Sequence, residues 1–416
     1  MKRIFKLAVP LVAVLAACNG GGTSNVPNAP NSPSQGALAH RLPAPTVVTP
    51  ACPGSRKGQA QCDALILPGG ARPTVSGWTA PDLEEAYNLP SSSEGSGQIV
   101  AIVDAYDNPD VASDLATYRS EFGLGTANFT KYNQNGVEGD YPAGNKGWGI
   151  EIDLDTQMVS AGCPKCTIYL IEANNSDWIN IETAEAEAVK LGATIVTNSY
   201  SGSGASQSYY DSSGVTYLAS SGDSGYGLYT PAAFGSVVAA GGTILSQGGG
   251  SRGWTDTVWE GNCGKDCGTG GGCTGAPSGY GSAESKPSWQ TDPYCSYRTG
   301  SDVSAVAWNV ALYISYDYTP GWYTVGGTSV ASPLLASVFA LAGNSTSQNG
   351  GETFWNDSGA GLYTVTSGTI EDCPSGKIAK GEPAYKKSYL CKAGSNQFGN
   401  FSGPDGWGVP DGTTAF

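Results

Sequence analysis

The sequence predicts an α/β fold in which a mainly parallel sheet carries helices on both faces. Short apolar segments rich in β-branched residues alternate with segments of helical spacing between residues 98 and 243. Hydrophobic residues make up 39% of the 416-residue chain, which is enough for a large core. Strands that alternate with helices are joined by right-handed crossovers, and these produce a parallel sheet covered by helices.

The predicted elements follow one another along the chain. Residues 98–106, QIVAIVDAY, form a short apolar run typical of a buried strand. Residues 108–124 have helical spacing, and Asn108 or Asp110 is suited to cap that helix. The remaining predictions are a helix at 149–162, a strand at 166–173, a helix at 176–193, and strands at 194–200, 215–223 and 236–243. Residues 244–300 are rich in glycine and are predicted to form loops.

The N-terminal region is predicted to be an export signal followed by a tether. Residues 1–18 have a basic start, a short apolar run and the sequence LAAC, which resembles the lipobox of bacterial lipoproteins. Such a lipobox implies cleavage before Cys18 and a lipid on its thiol, whereas an ordinary signal peptide cleaved nearby is the alternative. Residues 19–76 are predicted to be a flexible tether that ends in a short Cys-closed segment, and 77–416 the globular domain.

The cysteines predict disulfides in an oxidising compartment. Removing Cys18 from eleven cysteines leaves ten, an even number that fits five disulfides. Proximity in sequence suggests three pairs and leaves the pairing of the other four cysteines open: Cys52 with Cys62, Cys163 with Cys166, Cys373 with Cys391, and unassigned Cys263, Cys267, Cys273 and Cys295. The CPKC sequence at 163–166 is interpreted as a structural disulfide, because no histidines accompany it as zinc ligands.

The charge balance argues against several classes of partner. The formal net charge is −15 and the pI about 4.4, which disfavours nucleic acid and anionic membrane surfaces as partners. An acidic protein is suited to working in acid, where protonation lowers its negative charge. General solubility explains the same composition equally well.

Three short segments carry candidate chemistry. Glu151 and Asp155 lie four residues apart in a predicted helix, so they share one face and raise each other's pKa, whereas Asp153 points away. Asp223 follows a predicted strand and is flanked by glycines. This position suits either a residue that faces a ligand or a turn residue that accepts main-chain hydrogen bonds. Ser329 lies at the start of a predicted helix. It could be a nucleophile, with main-chain N–H donors nearby to stabilise an oxyanion. The alternative is an N-cap residue, a role for which Thr328 is equally suited.

The predicted globular domain contains no histidine, so its carboxylates are the candidate bases. A serine nucleophile needs a base within hydrogen-bond reach. The one histidine in the chain, His40, lies in the predicted tether. A histidine triad of the subtilisin type is therefore not expected, and a carboxylate base would suit an acidic working pH.

Together these segments resemble the sedolisin, or serine-carboxyl, peptidases. The similarity covers residues 77–416 and rests on EIDLD at 151–155, ASSGDSG at 219–225, AAGGT at 239–243, and GTSVASP following GWYTVGG at 321–333. It implies a subtilisin-like α/β fold, with Ser329 as nucleophile, Glu151 as its general base, Asp155 orienting Glu151, and Asp223 as a protonated donor to the oxyanion. Asp104 ends the first strand where subtilisins keep their triad aspartate, and its expected role here is structural or at most secondary.

The sequence departs from the sedolisin family in three places. About 60 residues separate Cys18 from the domain, too few for the long folded pro-domain of many members, so self-inhibition of that type is not expected. Thr364 and Ser402 stand where many members have calcium-binding aspartates, so the calcium site is expected to be lost, unless Asp405 and Asp411 form a shifted one. Trp308 and Asn309 replace a common Asp-Pro step, so substrate specificity is not inherited.

The sequence thus predicts an exported, lipid-anchored, acid-active endopeptidase that is monomeric, acts on peptides or proteins and uses no cofactor. It would contact a membrane only through a lipid on Cys18 and lie in the bacterial cell envelope or be secreted. The alternative is a catalytically inactive surface lipoprotein that keeps the fold and binds proteins or glycans.

Overall fold

A computed structural model describes residues 48–54, 57–249, 252–261, 263–264 and 267–416. The predicted signal peptide, Cys18 and His40 lie outside the described residues. Within the described ranges, no helix is both long enough and apolar enough to cross a bilayer.

The elements alternate along the chain. In the described residues the strands are β1 Thr49–Pro50, β2 Gln61–Cys62, β3 Leu65–Ile66, β4 Ile99–Ala105, β5 Asn128–Asn133, β6 Thr167–Ala173, β7 Ile195–Asn198, β8 Tyr200–Ser201, β9 Thr216–Ser220, β10 Ser224–Tyr226, β11 Val237–Gln247, β12 Trp254–Val258, β13 Gly268–Cys273, β14 Thr299–Gly300, β15 Val303–Val306, β16 Trp308–Ile314, β17 Gly321–Gly326, β18 Leu362–Tyr363 and β19 Val409–Pro410. The α-helices are α1 Ala80–Ala86, α2 Val111–Glu121, α3 Lys146–Gly162, α4 Trp178–Lys190, α5 Thr328–Ala342 and α6 Glu352–Asn356.

The predicted parallel sheet is confirmed. Its order is β12-β11-β9-β7-β4-β6-β5, and β15 also pairs with β11. All of these neighbours are parallel except β12, which runs antiparallel to β11. The central strand β4, IVAIVDA, is buried along nearly its whole length, as a strand covered on both faces requires.

Helices cover this sheet, and two of them form the centre of the core. Helix α5 packs against β7, β9, β11 and β15, and α3 packs against α5 and β4. The sequence of α5, TSVASPLLASVFALA, is apolar around its whole circumference, which explains why nearly all of it is buried. Helix α3 begins at Lys146, three residues before the predicted start, because the Asn145 side chain accepts hydrogen bonds from the amides of Gly147 and Trp148.

A smaller sheet ties the segment before the domain to the site. Its order is β1-β3-β17-β16, and β3 runs antiparallel to β17, the strand that leads into α5. Strand β2 separately pairs with β8. Residues from the predicted Cys-closed segment therefore lie in main-chain contact with two strands that flank Ser329.

The loop prediction for residues 244–300 was wrong in part. Strand β11 continues to Gln247, and β12, β13 and β14 lie in this region. Strand β13, GTGGGC, is fully buried against other main chain: a Cβ at Gly270 would lie 1.9 Å from the Ser221 carbonyl oxygen. Glycine is therefore required here by close backbone approach rather than by a turn.

Five disulfides stabilise the described part of the chain, as the cysteine count predicts. The three pairs suggested by sequence are present. The other four cysteines form the disulfides Cys263–Cys267 and Cys273–Cys295.

Candidate active site

The candidate residues meet at the carboxyl ends of the parallel strands, where α3 and α5 approach each other. Asp104 lies near the end of β4, Ser199 follows β7, and Asp223 follows β9. Glu151 and Asp155 come from α3 and Ser329 from α5. In open α/β sheets this edge is the usual place for a site, because loops and helix ends converge there.

Glu151 and Asp155 share one face of α3 and are completely buried. Oε2 of Glu151 accepts a hydrogen bond from the Ala64 amide at 2.9 Å, and Oδ1 of Asp155 accepts one from the Ser199 hydroxyl at 2.7 Å. Burial, followed by the charges of Asp155 and Asp104, raises the pKa of Glu151 well above its usual range. Burial likewise raises the pKa of Asp155, so the pair holds at least one proton at neutral pH.

Ser329 lies inside the first turn of α5 and does not cap it. The residue preceding the helix is Gly327, with φ 115°, so the N-cap interpretation of Thr328 or Ser329 was wrong. The Ser329 hydroxyl donates to the Ser199 carbonyl oxygen at 3.4 Å. It makes no described hydrogen bond to Glu151, whose Oε1 has no partner among the described residues, but it lies close enough to lower the pKa of that carboxyl group.

Asp223 is held from one side by the start of α5. Its Oδ1 accepts from both the amide and the hydroxyl of Thr328 at 2.8 Å, whereas Oδ2 has no hydrogen-bond partner in the described part of the chain. Burial and then the charge of Asp63 raise its pKa well above the usual value. A Cβ at Gly327 would lie 2.8 Å from Oδ2, so glycine keeps open the space that this oxygen faces.

Asp104 extends this carboxyl cluster. It is fully buried, and neither of its oxygens has a hydrogen-bond partner among the described residues. Burial, Asp155 and Glu172 raise its pKa, so a neutral acid is expected at this position. Asp153 points away from the pair, as predicted, and interacts with Asp114 and Asn108.

Sequence reasoning missed Asp63 and Ala64. Asp63 is 8% exposed, and its carboxyl group accepts hydrogen bonds from the hydroxyls of Ser201 at 3.0 Å and Ser220 at 2.8 Å. Burial raises the pKa of Asp63 to about 7, although the two hydroxyls act to lower it. No local motif marks these residues, because their proximity to Glu151 depends on strand pairing across more than eighty positions.

The C-terminal acids Asp405 and Asp411 accept hydrogen bonds from different partners. Asp405 is buried and accepts a hydrogen bond from Ser402, and burial raises its pKa well above the usual value. Asp411 instead accepts from the Asn88 side chain at 3.4 Å. Calcium needs several oxygen ligands, yet no group of three or more His, Cys, Asp or Glu placed to hold a metal occurs in the described ranges.

Comparison with known proteins connects this geometry to a family. The chain is 31% identical to kumamolisin of Bacillus sp. (strain MN-32) over 301 residues, 65% of this chain and 52% of that protein. It is 26% identical to sedolisin of Pseudomonas sp. (strain 101) over 404 residues, 88% of this chain and 64% of that protein. These two relatives support assignment of the chain to the sedolisin family. It spans between half and two thirds of the length of these two curated relatives.

The solved structure of a sedolisin shares the subtilisin-like fold. Pseudomonas sedolisin, described as a serine-carboxyl proteinase complexed with two molecules of pseudo-iodotyrostatin, superposes with a TM-score of 0.62 and 24% identity. The match covers 81% of this chain and 96% of that one. No protein-family model matches the chain.

Proposed function

We propose that this sedolisin-family chain is an exported, acid-active serine-carboxyl endopeptidase that forms an acyl-enzyme on Ser329. The observation that carries the proposal is the position of Glu151. Its carboxyl group lies beside the Ser329 hydroxyl while its Oε2 accepts a main-chain amide. A group in this position can take the proton of a nucleophile and pass it to the nitrogen of a peptide bond.

The other carboxyl groups have complementary roles in the proposed mechanism. Asp155 shares its proton with Glu151 and is oriented by the Ser199 hydroxyl. Asp223, held through Oδ1 by Thr328, would donate from Oδ2 to the oxygen that becomes negative in the tetrahedral intermediate. Asp104 makes no described hydrogen bond and is assigned a secondary role, through its electrostatic coupling to Asp155 and Glu151.

An acidic working range follows from Asp223. It can donate only while protonated, and its raised pKa extends protonation above the usual range of a carboxyl group. Glu151 must in turn be ionised to accept a proton. The Ala64 amide and the surrounding main chain now bury Glu151, so its pKa is expected to fall when the cleft opens to water.

The decisive experiment measures hydrolysis of a denatured protein from pH 2 to pH 8. Ser329→Ala is expected to lower kcat/KM by at least about a thousandfold, because removing a nucleophile removes the covalent route. Ser337→Ala is the matched control, since Ser337 lies on the same helix, is buried and donates only to the Leu334 carbonyl oxygen. Circular dichroism of both variants verifies that they fold.

Two results would contradict this mechanism. Activity that survives Ser329→Ala would exclude the acyl-enzyme, and an optimum near pH 7 would remove the role of a protonated Asp223. Absence of hydrolysis at every pH would instead favour the inactive surface lipoprotein that binds proteins or glycans, an alternative to which the complete burial of Ser329 lends support.

The cellular setting is also part of the proposal. Five disulfides fit an oxidising compartment outside the cytoplasm. We place the protein in the bacterial envelope through a lipid on Cys18, or in the secreted fraction, as a monomer acting on peptides or proteins. The hydrogen bonds that Asp405 and Asp411 accept support the proposal that the domain folds without bound calcium.

A further inference from the structure

Residues 61–67 of the chain run through the candidate active site in an extended conformation. Strand β2 pairs antiparallel with β8, so that Cys62 lies opposite Tyr200. Strand β3 pairs antiparallel with β17, so that Leu65 lies opposite Gly326. Between the two strands lie two residues, Asp63 and Ala64, which are joined by one peptide bond. The backbone is therefore held on both sides of that bond, as β-strand addition holds a peptide in a cleft.

Each side of this peptide bond faces a group of the proposed mechanism. The Ala64 amide donates to Oε2 of Glu151 at 2.9 Å. The Asp63 amide donates to the Ser199 carbonyl oxygen at 3.2 Å, the same oxygen that accepts from the Ser329 hydroxyl. The Asp63 carbonyl oxygen faces Gly327, where an added Cβ would lie 2.2 Å from it and 2.8 Å from Oδ2 of Asp223. The leaving nitrogen and the future oxyanion are thus next to the base and the acid.

The Asp63 side chain occupies a small polar pocket. One carboxyl oxygen accepts from Ser201 and the other from Ser220, so both oxygens are matched by hydroxyl donors. Asp63 raises the pKa values of both Asp223 and Glu151. A neutral acid avoids repulsion from them, in agreement with the pKa of about 7 at Asp63. An apolar side chain of similar size would leave both hydroxyls without an acceptor.

We propose that this site hydrolyses peptide bonds on the carboxyl side of aspartate, and that Asp63–Ala64 of its own chain is its first substrate. The inference rests on the proposed peptidase function and adds a substrate class to it. Specificity comes from Ser201 and Ser220, which recognise the carboxyl group of the substrate aspartate. Strands β8 and β17 pair with the main chain of the substrate, so they tolerate varied side chains on either side of that aspartate.

The reaction balances with water as the single co-reactant. The Ser329 oxygen bonds to the Asp63 carbonyl carbon, and its proton passes to Glu151. Glu151 gives that proton to the Ala64 nitrogen, the carbon–nitrogen bond breaks, and Ala64 leaves as an amine. A water molecule then attacks the ester carbon, its proton returns through Glu151 to the Ser329 oxygen, and Asp63 is released as a new C-terminal carboxyl group.

Cleavage at this bond would separate the domain from everything before it. The Cys52–Cys62 disulfide lies wholly on the N-terminal side, and the other four described disulfides lie wholly after Ala64. No described disulfide therefore crosses the cleavage point. If Cys18 carries a lipid, the product that begins at Ala64 is no longer joined to the membrane.

The experiment follows the purified chain at pH 4 by intact mass and N-terminal sequencing. We expect first-order conversion, independent of protein concentration, to a product that begins at Ala64. Asp63→Leu should slow the conversion about tenfold or more, because both hydroxyls lose their acceptor. Ser329→Ala should stay intact and also corrects for chemical hydrolysis at aspartate, while Ser337→Ala should be processed as the unaltered chain is.

A second measurement maps the sites cut in a denatured protein and compares peptides that differ only in Asp, Asn, Leu or Lys before the cleaved bond. Preference for aspartate of about tenfold, lost in a Ser201→Ala, Ser220→Ala double variant, would support the proposal. Ser329-dependent hydrolysis without that preference, or a first cut elsewhere in the chain, would overturn the specificity and leave the peptidase function standing. No hydrolysis in either measurement would overturn both.

Discussion

At the residue scale, four carboxyl groups in one site have different hydrogen-bond partners. Glu151 receives a main-chain amide, Asp155 a serine hydroxyl, and Asp223 two donors from Thr328. Asp104 receives no described hydrogen bond, and its pKa is raised by burial and by the charges of Asp155 and Glu172. Environments that differ in this way separate acid and base roles among chemically identical groups.

Thr328 provides a test of the role assigned to Asp223. Its hydrogen bonds lower the pKa of Asp223, so removing the hydroxyl in Thr328→Val should raise that pKa further. Because the proposed mechanism requires protonated Asp223, the alkaline side of the profile of kcat/KM against pH should move to higher pH. The lost acceptor for the Gly222 amide is expected to destabilise the fold by about 1–3 kcal/mol.

Thr216→Val is the matched control for this change. Thr216 is also buried, and its hydroxyl donates to the Ser345 carbonyl oxygen. It should lower stability without moving the pH profile. An unmoved alkaline limb in Thr328→Val would show that a group other than Asp223 limits activity at high pH.

At the element scale, helix α3 was predictable and strand β13 was not. The spacing of EIDLD within an apolar helix indicates which acids share a face, and the structure brings Glu151 and Asp155 together on that basis. Strand β13 has a sequence typical of a loop, because five of its six residues are glycine or threonine and no apolar alternation is present. Its conformation depends on main chain from Ser221 and Gly403, which only the folded chain supplies.

The start of α3 can be tested through its cap. Asn145→Ala removes an acceptor for the Gly147 and Trp148 amides and should lower the free energy of unfolding by about 1 kcal/mol. Urea denaturation followed by circular dichroism measures the change. Asn145→Asp keeps an acceptor and should retain most of the stability; equal losses in both variants would show that the cap contributes little.

At the scale of the whole molecule, the number of buried acids predicts a fold that is more stable in acid than in base. Burial raises the pKa of a set of carboxyl groups well above their usual range, and that of Glu172 to about 9. The set comprises Asp104, Glu151, Asp153, Asp155, Glu185, Asp223 and Asp405. In the unfolded chain the same groups lose their protons near pH 4.

The sign of the pH dependence follows from this difference. Below about pH 4 both states are protonated, so the stability is fully present. As the pH rises, the unfolded chain releases protons that the fold retains, and stability is lost up to the raised pKa values. The melting temperature should fall by at least about 5 °C between pH 5 and pH 9.

Glu172→Gln is the variant that tests this account. It should reduce the fall in melting temperature, because a neutral amide replaces an acid whose pKa is about 9. Glu121→Gln, at an exposed position at the end of α2, should leave the fall unchanged. A melting temperature that rises toward pH 9 would contradict the assignment of these buried acids as protonated.

The sequence by itself determined the alternation of strands and helices, the disulfide count, the shared face of Glu151 and Asp155, and the candidacy of Asp223 and Ser329. These features depend on local periodicity, on composition and on motifs of a few residues. Only the tertiary structure decided that Asp63 and Ala64 lie between Glu151 and Asp223, that Gly327 rather than a side chain precedes α5, and that a glycine-rich segment forms a buried strand. Each of these depends on main-chain contacts between distant segments, and hydrogen bonds to the backbone leave almost no mark on the identity of the residues that make them.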